Sequence, residues 1–236
     1  MLSLAELRKE LSDRADPEKA RIYQRFFKTG PGQYGEGDIF LGITVPQSRA
    51  IAGNYNDLAY SDIKLLLTSR IHEERLISLL LLVRKITRTS TENKEEVVKF
   101  YLDNIRGVNN WDLVDLSAPR ILGEYLRHRK DRRVLYNFAR SGDLWKRRIA
   151  IITTLAFIRD NDFHDALKLS EILVKDEHDL IQKAVGWTLR EIGKKEQKTE
   201  ELFLKKYHRI MPRTMLRYSI ERFPQEKRIA YLKGLV

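Results

Sequence analysis

A tryptophan and two carboxylates occur close together in the segment NNWDLVDLSAP, residues 109–119. When the segment is plotted as a helix at about 100° per residue, Asp112 points away from the apolar side, where a first-turn carboxylate interacts favourably with the helix dipole. Asp115 instead lies at the margin of the apolar side, one turn after Trp111, where a carboxylate needs a partner or a function. Such a carboxylate is able to stabilise a developing positive charge or to orient a water molecule. Pairing of Asp115 with a neighbouring helix is the structural alternative.

A second candidate is an arginine within the apolar side of DLWKRRIAIITTLAFIR, residues 143–159. Lys146 and Arg147 fall on the opposite, solvated side, whereas Arg148 lies between apolar positions. A guanidinium that is removed from water needs a partner, because its desolvation alone costs on the order of several kcal/mol. We therefore predict that Arg148 either pairs with a carboxylate such as Asp115 or contacts a phosphate of DNA.

A third candidate is the tryptophan in HDLIQKAVGWTLREIGKK, residues 178–195. Trp187 lies at the edge of the apolar side of this predicted helix, between Lys183 and Arg190. A partly exposed indole between two cations is suited to stack on a nucleobase or a sugar beside phosphates. Packing is the commoner role for one tryptophan at helical spacing. Three helices that each place one such residue at a similar edge nevertheless favour a shared concave site.

The elements that must position these residues are predicted to be helices, because nearly all periodic segments follow the 3.6-residue repeat. Helices are predicted at about 3–14, 17–27, 46–53, 61–69, 72–88, 92–105, 110–127, 131–140, 143–159, 162–174, 178–194, 198–210, 212–221 and 224–234. They form pairs of roughly 35 to 40 residues, which is the period of HEAT-like arrays. The sequence thus predicts an all-α fold, a HEAT-like helical-repeat solenoid with a concave DNA-binding face, in a single domain over residues 1–236.

One glycine-rich segment, KTGPGQYGEGDIFLGITVP at residues 28–46, departs from the helical pattern. It lacks the GxxxxGK[ST] spacing of a phosphate loop, and no predicted strand precedes it. Nucleotide binding is therefore not expected here. The segment is interpreted as a shaped connector.

The composition restricts the class of partner. The chain has 236 residues, and its 44 Lys and Arg against 33 Asp and Glu give 44 − 33 = +11. Such an excess favours a polyanionic partner, with nucleic acid ahead of an anionic membrane. Cysteine is absent, which excludes disulfides and thiolate metal sites, and the five histidines show no metal-ligand spacing. The N-terminus resembles neither a signal peptide nor a membrane span. We therefore expect a cytoplasmic protein without bound metal.

Five motifs occur in a characteristic order over most of the chain: FFKTGPGQYGEGDIFLGI (26–43), VPQSRAIA, NNWDLVD, LWKRRIA and KAVGWTLRE. Together they resemble the DNA alkylation repair proteins with HEAT-like repeats, the AlkD-like DNA glycosylases. The resemblance implies a protein that binds double-stranded DNA carrying alkylated bases. It also implies hydrolysis of the N-glycosidic bond of cationic alkylpurines such as N3-methyladenine and N7-methylguanine, in base excision repair. No cofactor is expected.

The resemblance also implies roles for individual residues. The W-x-x-x-D spacing from Trp111 places the catalytic carboxylate of the family at Asp115. Trp111 and Trp187 look like its cleft tryptophans, and Arg148 looks like its cleft arginine. Local alignment leaves Arg147 as an alternative, but the helical face favours Arg148. DNA-binding side chains are expected at Lys183, Arg190, Arg49 and Lys28.

Two other functions remain open at this level. A non-catalytic HEAT-like module would bind damaged or branched DNA by charge and shape alone and would not need Asp115. A protein-binding scaffold would instead present a large apolar groove. Whether the lesion is flipped out of the duplex stays open as well. A monomer is expected, since a solenoid that wraps DNA needs no partner chain.

Overall fold

The computed structural model describes residues 2–88 and 94–236. The first two residues of the helix predicted at 92–105 lie outside the described residues. The chain divides into two compact units, Met1–Ser117 and Ala118–Val236. Each unit is built from helices that pack side by side.

The first unit is organised around one long helix, α5. Its helices are α1 (Leu4–Asp13), α2 (Pro17–Phe26), α3 (Val45–Asn54), α4 (Tyr60–Leu67), α5 (His72–Arg88), α6 (Lys94–Asp103) and α7 (Trp111–Ser117), with a 3₁₀ turn at Ile105–Gly107. Helix α5 packs against α3, α4, α6 and α7. Because it has neighbours on several sides, α5 is apolar and buried around most of its circumference. It therefore determines where α7 lies within this unit.

Local sequence signals define where the first helices begin. Ser3 and Glu6 form a capping box at the start of α1. The Asp16 carboxylate accepts the first backbone N–H groups of α2, and Pro17 occupies the first helical position, where its missing N–H costs nothing. These starts agree with the predicted helices.

The glycine-rich connector is held by the first turn of α5. The backbone N–H of Ile39 donates to the carbonyl of Arg70 at 2.9 Å, and the N–H of His72 donates to the carbonyl of Ile39 at 2.8 Å. The buried Glu73 carboxylate accepts backbone N–H groups at 2.9 to 3.2 Å from Leu41, Gly42 and Ile43. Gly42 has a φ of 83°, and a Cβ there would collide with the backbone of Asp16. The connector is thus a fixed loop.

The second unit is organised around α13. Its helices are α8 (Glu124–Leu126), α9 (Arg133–Ala139), α10 (Leu144–Thr153), α11 (Leu155–Arg159), α12 (His164–Ile172), α13 (Asp179–Lys195), α14 (Gln197–Tyr207), α15 (Arg213–Ser219) and α16 (Gln225–Lys233), with a 3₁₀ turn at Ile220–Arg222. Helix α13 packs against α10, α14 and α15. Its buried face is the apolar side predicted for the helix in residues 178–195.

Two predicted helices are interrupted. The helix predicted at 110–127 ends as α7 at Ser117, and Pro119–Gly123 forms a π-helical turn in which the N–H of Gly123 donates to the carbonyl of Ala118 at 2.9 Å. Proline has no N–H to donate, so the backbone ladder is broken at that point. The helix predicted at 143–159 divides at Thr154 into α10 and α11.

The all-α prediction is confirmed. Across the described residues the only extended pairing is an isolated bridge between Ile39 and Ile71. Within the same residues, no helix is both long and apolar enough to cross a membrane. The solenoid with its concave face, and the single domain, stay predictions.

Candidate active site

Helix α7 carries the first two candidate residues, Trp111 and Asp115. The helix begins at Trp111, whose backbone N–H donates to Oδ1 of Asn110 at 2.9 Å. The Asn110 side chain is buried and donates from Nδ2 to Asp38 at 3.3 Å. Trp111 and Asp115 follow one turn apart, and both are partly exposed. The NNWDLVD motif thus places an accessible indole and an accessible carboxylate on one anchored helix.

The Trp111 indole lies against two phenylalanines at the end of α2. Phe27 stacks on it with ring centroids 5.3 Å apart and planes 13° apart, and Phe26 contacts it edge-on at 5.9 Å. Phe27 is buried, whereas Phe26 is 62% exposed. Sequence reasoning did not identify either ring as a site residue. The signal was the FF pair at the start of the first motif, but its contact with α7 is a tertiary one.

An apolar cavity of about 340 Å³ opens beside these rings. It lies between α2, the connector and the first turns of α5 and α7, and its lining includes Tyr23, Phe26, Phe27, Phe40, His72 and Asp112. The aromatic rings form a continuous surface, since Phe40 stacks on both Phe27 and His72 at 4.8 and 4.4 Å. The exposed Phe26 thus gives this side of α7 an aromatic character that suits flat ligand groups.

Asp112 has a different role from the one predicted. Instead of pointing to solvent, its Oδ2 lies 2.8 Å from Nε2 of the buried His72. The other ring nitrogen of His72 faces Asp38 at 3.4 Å, and Asp38 forms an ion pair with Arg75 at 2.6 Å. The prediction that Asp112 does little beyond interacting with the helix dipole is therefore wrong. It joins the first turn of α7 to the first turn of α5.

The charges of this network shift the pKa values of His72 and Asp38. Burial lowers the pKa of His72, but the charge and hydrogen bond of Asp112 and the hydrogen bond of Asp38 outweigh it, so the pKa is raised. Burial raises the pKa of Asp38, but His72, Arg75 and Asn110 outweigh it, so that pKa is lowered. Both shifts favour the charged forms. The network behaves as a buried ion-paired anchor for α7.

We predict that replacing His72 with glutamine lowers the free energy of unfolding by roughly 2 kcal/mol, because buried hydrogen bonds are lost. The effect depends on pH. Since the pKa of His72 is raised on folding, its charged-state contribution is complete below about pH 6.5 and is lost as pH rises through the folded-state pKa. Urea unfolding at about pH 5.5 and about pH 8.5 measures this, with the exposed His164→Gln as the control. An equal loss at both pH values would contradict the charged pairing.

Arg148 is buried in the second unit, as the helical periodicity predicts. It is 5% exposed on α10, and its Nη1 donates to the carbonyl of Leu180 in the first turn of α13. Arg147 is oriented differently: its Nε pairs with Asp176 at 2.7 Å, and its Nη1 donates to carbonyls of the loop before α10. Arg147 is thus occupied in holding a loop. A phosphate contact by Arg148 stays a prediction.

Trp187 lies partly exposed on α13, and both it and its two flanking cations have acidic partners. Its Nε1 donates to Oε1 of Glu191 at 3.0 Å. Of the two flanking cations, Lys183 pairs with Asp179 at 2.9 Å and Arg190 pairs with Glu221. Sequence reasoning missed these carboxylates. Helical spacing could have predicted two of these contacts, because Asp179 lies four residues before Lys183 and Glu191 lies four residues after Trp187. Glu221 could not be predicted in this way, since it belongs to the distant 3₁₀ turn.

The remaining DNA-binding candidates are exposed in the first unit. Lys28 follows α2 with a φ of 52°, and its Nζ lies 5.8 Å from the centroid of the Tyr34 ring. Arg49 projects from α3. The first unit thus holds Asp115, Trp111, Lys28 and Arg49, and the second holds Arg148, Trp187, Lys183 and Arg190. Their assembly into one site, and their roles in it, stay predictions. No group of three or more potential metal-ligating side chains occurs among the described residues.

The chain resembles known proteins in sequence and in fold. The family model of the DNA alkylation repair enzymes matches residues 7–223. A solved structure described as a predicted DNA alkylation repair enzyme from Enterococcus faecalis superposes with a TM-score of 0.70 at 18% identity, covering 89% of this chain and 97% of that one. At this identity the likeness shows the fold. No curated protein matches the chain. Because the family match extends over most of its length, the chain belongs to the DNA alkylation repair enzyme family.

Proposed function

We propose that the protein is a monofunctional DNA glycosylase that hydrolyses the N-glycosidic bond of cationic alkylpurines in duplex DNA. Its substrates would be lesions such as N3-methyladenine and N7-methylguanine, and its product would enter base excision repair. The observation that carries the proposal is the accessible Trp111–Asp115 pair on an anchored α7, in a member of this family with a net charge of +11. We expect it to act as a monomer in the cytoplasm.

The charge of the lesion determines what the site must supply. A cationic alkylpurine is already a good leaving group, because the electrons of the breaking C1′–N bond neutralise the base. No general acid is required for its departure. The sugar then develops oxocarbenium character and must be stabilised until water adds to C1′.

Asp115 is the group proposed to stabilise this charge. A carboxylate about 4 Å from a developing positive charge contributes roughly 4 kcal/mol at an effective dielectric constant near 20. That energy corresponds to about a thousandfold in rate. The same carboxylate would orient the attacking water and accept its proton. Because water is the nucleophile, no covalent enzyme–DNA intermediate and no strand cleavage are expected.

The tryptophans are proposed to hold the lesion and its sugar. An indole face attracts a cation by about 0.5 to 2 kcal/mol, so Trp111 and Trp187 would favour a charged lesion over its neutral parent base. Phe27 stacks on Trp111 and would restrict the orientations of that indole. Arg148 is proposed to bind a phosphate near the lesion through guanidinium N–H groups.

We predict that the protein releases free N7-methylguanine and N3-methyladenine from methylated duplex DNA and leaves the strands intact. A duplex carrying the neutral lesion O6-methylguanine is the matched control, and no base release is expected from it. Chromatography of the freed bases and denaturing electrophoresis of the strands measure the two products. Salt-dependent binding without any base release would instead identify a non-catalytic module that recognises DNA by charge and shape.

A further inference from the structure

A second cavity of about 380 Å³, more polar than the first, lies in the first unit on a different set of side chains. It is formed where the middle of the connector meets the turn between α4 and α5 and the 3₁₀ turn before α7. Its lining includes three arginines, Arg70, Arg75 and Arg106, together with Ser69 and Asn109. None of these belongs to the site proposed above.

Two of the three arginines are available to a ligand. Arg70 and Arg106 are exposed, and neither guanidinium has a hydrogen-bond or ion-pair partner among residues 2–88 and 94–236. Some other arginines of the unit are paired, for example Arg8 with Glu74 at 3.0 Å and Arg14 with Glu10 at 2.7 Å. Two unpaired guanidiniums at one cavity present planar forks of N–H donors, the geometry that matches phosphate oxygens.

The third arginine is fixed inside the cavity wall. Arg75 is 3% exposed; it pairs with Asp38 at 2.6 Å and donates to the carbonyl of Ser69 at 2.7 Å. Its Nε has no acceptor in the described part of the chain. Asp38 and Glu36 also line the cavity, but Arg75 offsets the charge of Asp38, and the Glu36 carboxylate accepts the N–H of Gly32 at 2.9 Å. Three arginines against two carboxylates leave the cavity net positive.

We propose that this cavity binds a phosphate group, with Arg70 and Arg106 as its direct ligands. Arg106 and Asn109 belong to the segment that leads into α7. A phosphate bound here therefore lies beside the start of the helix that carries Trp111. The bound phosphate group belongs either to the backbone of duplex DNA or to a free phosphate anion. Only the first rests on the proposed DNA-binding function.

The first arm of the test measures binding of unmodified duplex DNA over a series of salt concentrations. The variant R70Q/R106Q removes both ligands, and K64Q/R88Q is the control, since it removes two exposed cations of the same unit that lack partners in the described residues. Each phosphate contact contributes about 0.9 to the slope of log K against log salt. We expect R70Q/R106Q to reduce that slope by about 0.9 and to weaken binding about tenfold more than the control does.

The second arm measures binding of inorganic pyrophosphate to the protein without DNA, by calorimetry. Loss of the salt-slope contribution in R70Q/R106Q assigns the site to the DNA backbone, and loss of pyrophosphate binding assigns it to a free anion. If R70Q/R106Q matches the control in both arms, the proposal is overturned. Circular dichroism checks that both variants are folded. Arg75 is not replaced, because its removal would leave the buried Asp38 carboxylate without its ion-pair partner. Neither arm measures base release, so the result is independent of whether the protein excises lesions.

Discussion

The variant Asp115→Asn is expected to release N7-methylguanine about a thousandfold more slowly than the unmodified protein. The amide has nearly the same shape as the carboxylate but no charge, so it withdraws the roughly 4 kcal/mol of stabilisation proposed for the oxocarbenium-like sugar. DNA affinity should change little, because the interaction is strongest in the transition state. Single-turnover kinetics at saturating protein measure the chemical step free of binding.

The control for this experiment is Asp57→Asn. Asp57 is an exposed carboxylate of the same unit without a partner among the described residues, so its replacement changes the net charge equally. Both variants should bind DNA slightly more tightly because each removes a negative charge. If Asp115→Asn releases N7-methylguanine at the normal rate when its DNA occupancy equals that of the unmodified protein, Asp115 has no catalytic role and is a structural residue of α7.

The second large effect is expected on stability, at Glu200 of α14. This side chain is 2% exposed and packs against Gly193 of α13, where a Cβ would collide with the carboxyl group. Burial raises the pKa of Glu200 to about 8; the charge of Glu201 adds to the shift, and those of Lys227 and Arg190 oppose it. Near neutral pH the folded protein therefore holds Glu200 as a protonated acid.

The contribution of Glu200 to stability should consequently fall as pH rises between about 4.5 and 8. In that interval the folded state binds a proton that the unfolded state has released, so the free energy of unfolding decreases with pH. Glu200→Gln removes the titrating group while preserving its size. At about pH 9 we expect the variant to be more stable than the unmodified protein by on the order of 3 kcal/mol.

Denaturant unfolding between about pH 5 and about pH 9 tests this expectation. Glu226→Gln is a suitable control, because Glu226 is exposed on α16 and its replacement makes the same change in composition. The difference between Glu200→Gln and the unmodified protein should grow with pH and should be absent for the control. A difference independent of pH would mean that Glu200 is already ionised in the folded protein.

The sequence by itself determined the helices and the faces of some of them. The 3.6-residue repeat is local, so it predicts which side of α10 is apolar, and Arg148 is buried there as expected. The same repeat predicts one helix over residues 110–127, which the structure interrupts at Pro119, because a residue without an N–H breaks the backbone ladder. The order of the motifs led to the correct family.

Only the tertiary structure decided which partners those faces meet. By helical phase Asp112 points away from the apolar side of α7, yet its carboxylate bonds to His72, 40 positions earlier in the chain. The stacking of Phe27 on Trp111 and the burial of Glu200 against Gly193 likewise join separate elements. Arg70 and Arg106 also come from separate segments, and the fold places both at one cavity. The helical period predicts that one face of a helix is buried, but it does not predict which segment packs against that face. Contacts between distant segments depend on packing and charge compensation in the folded chain.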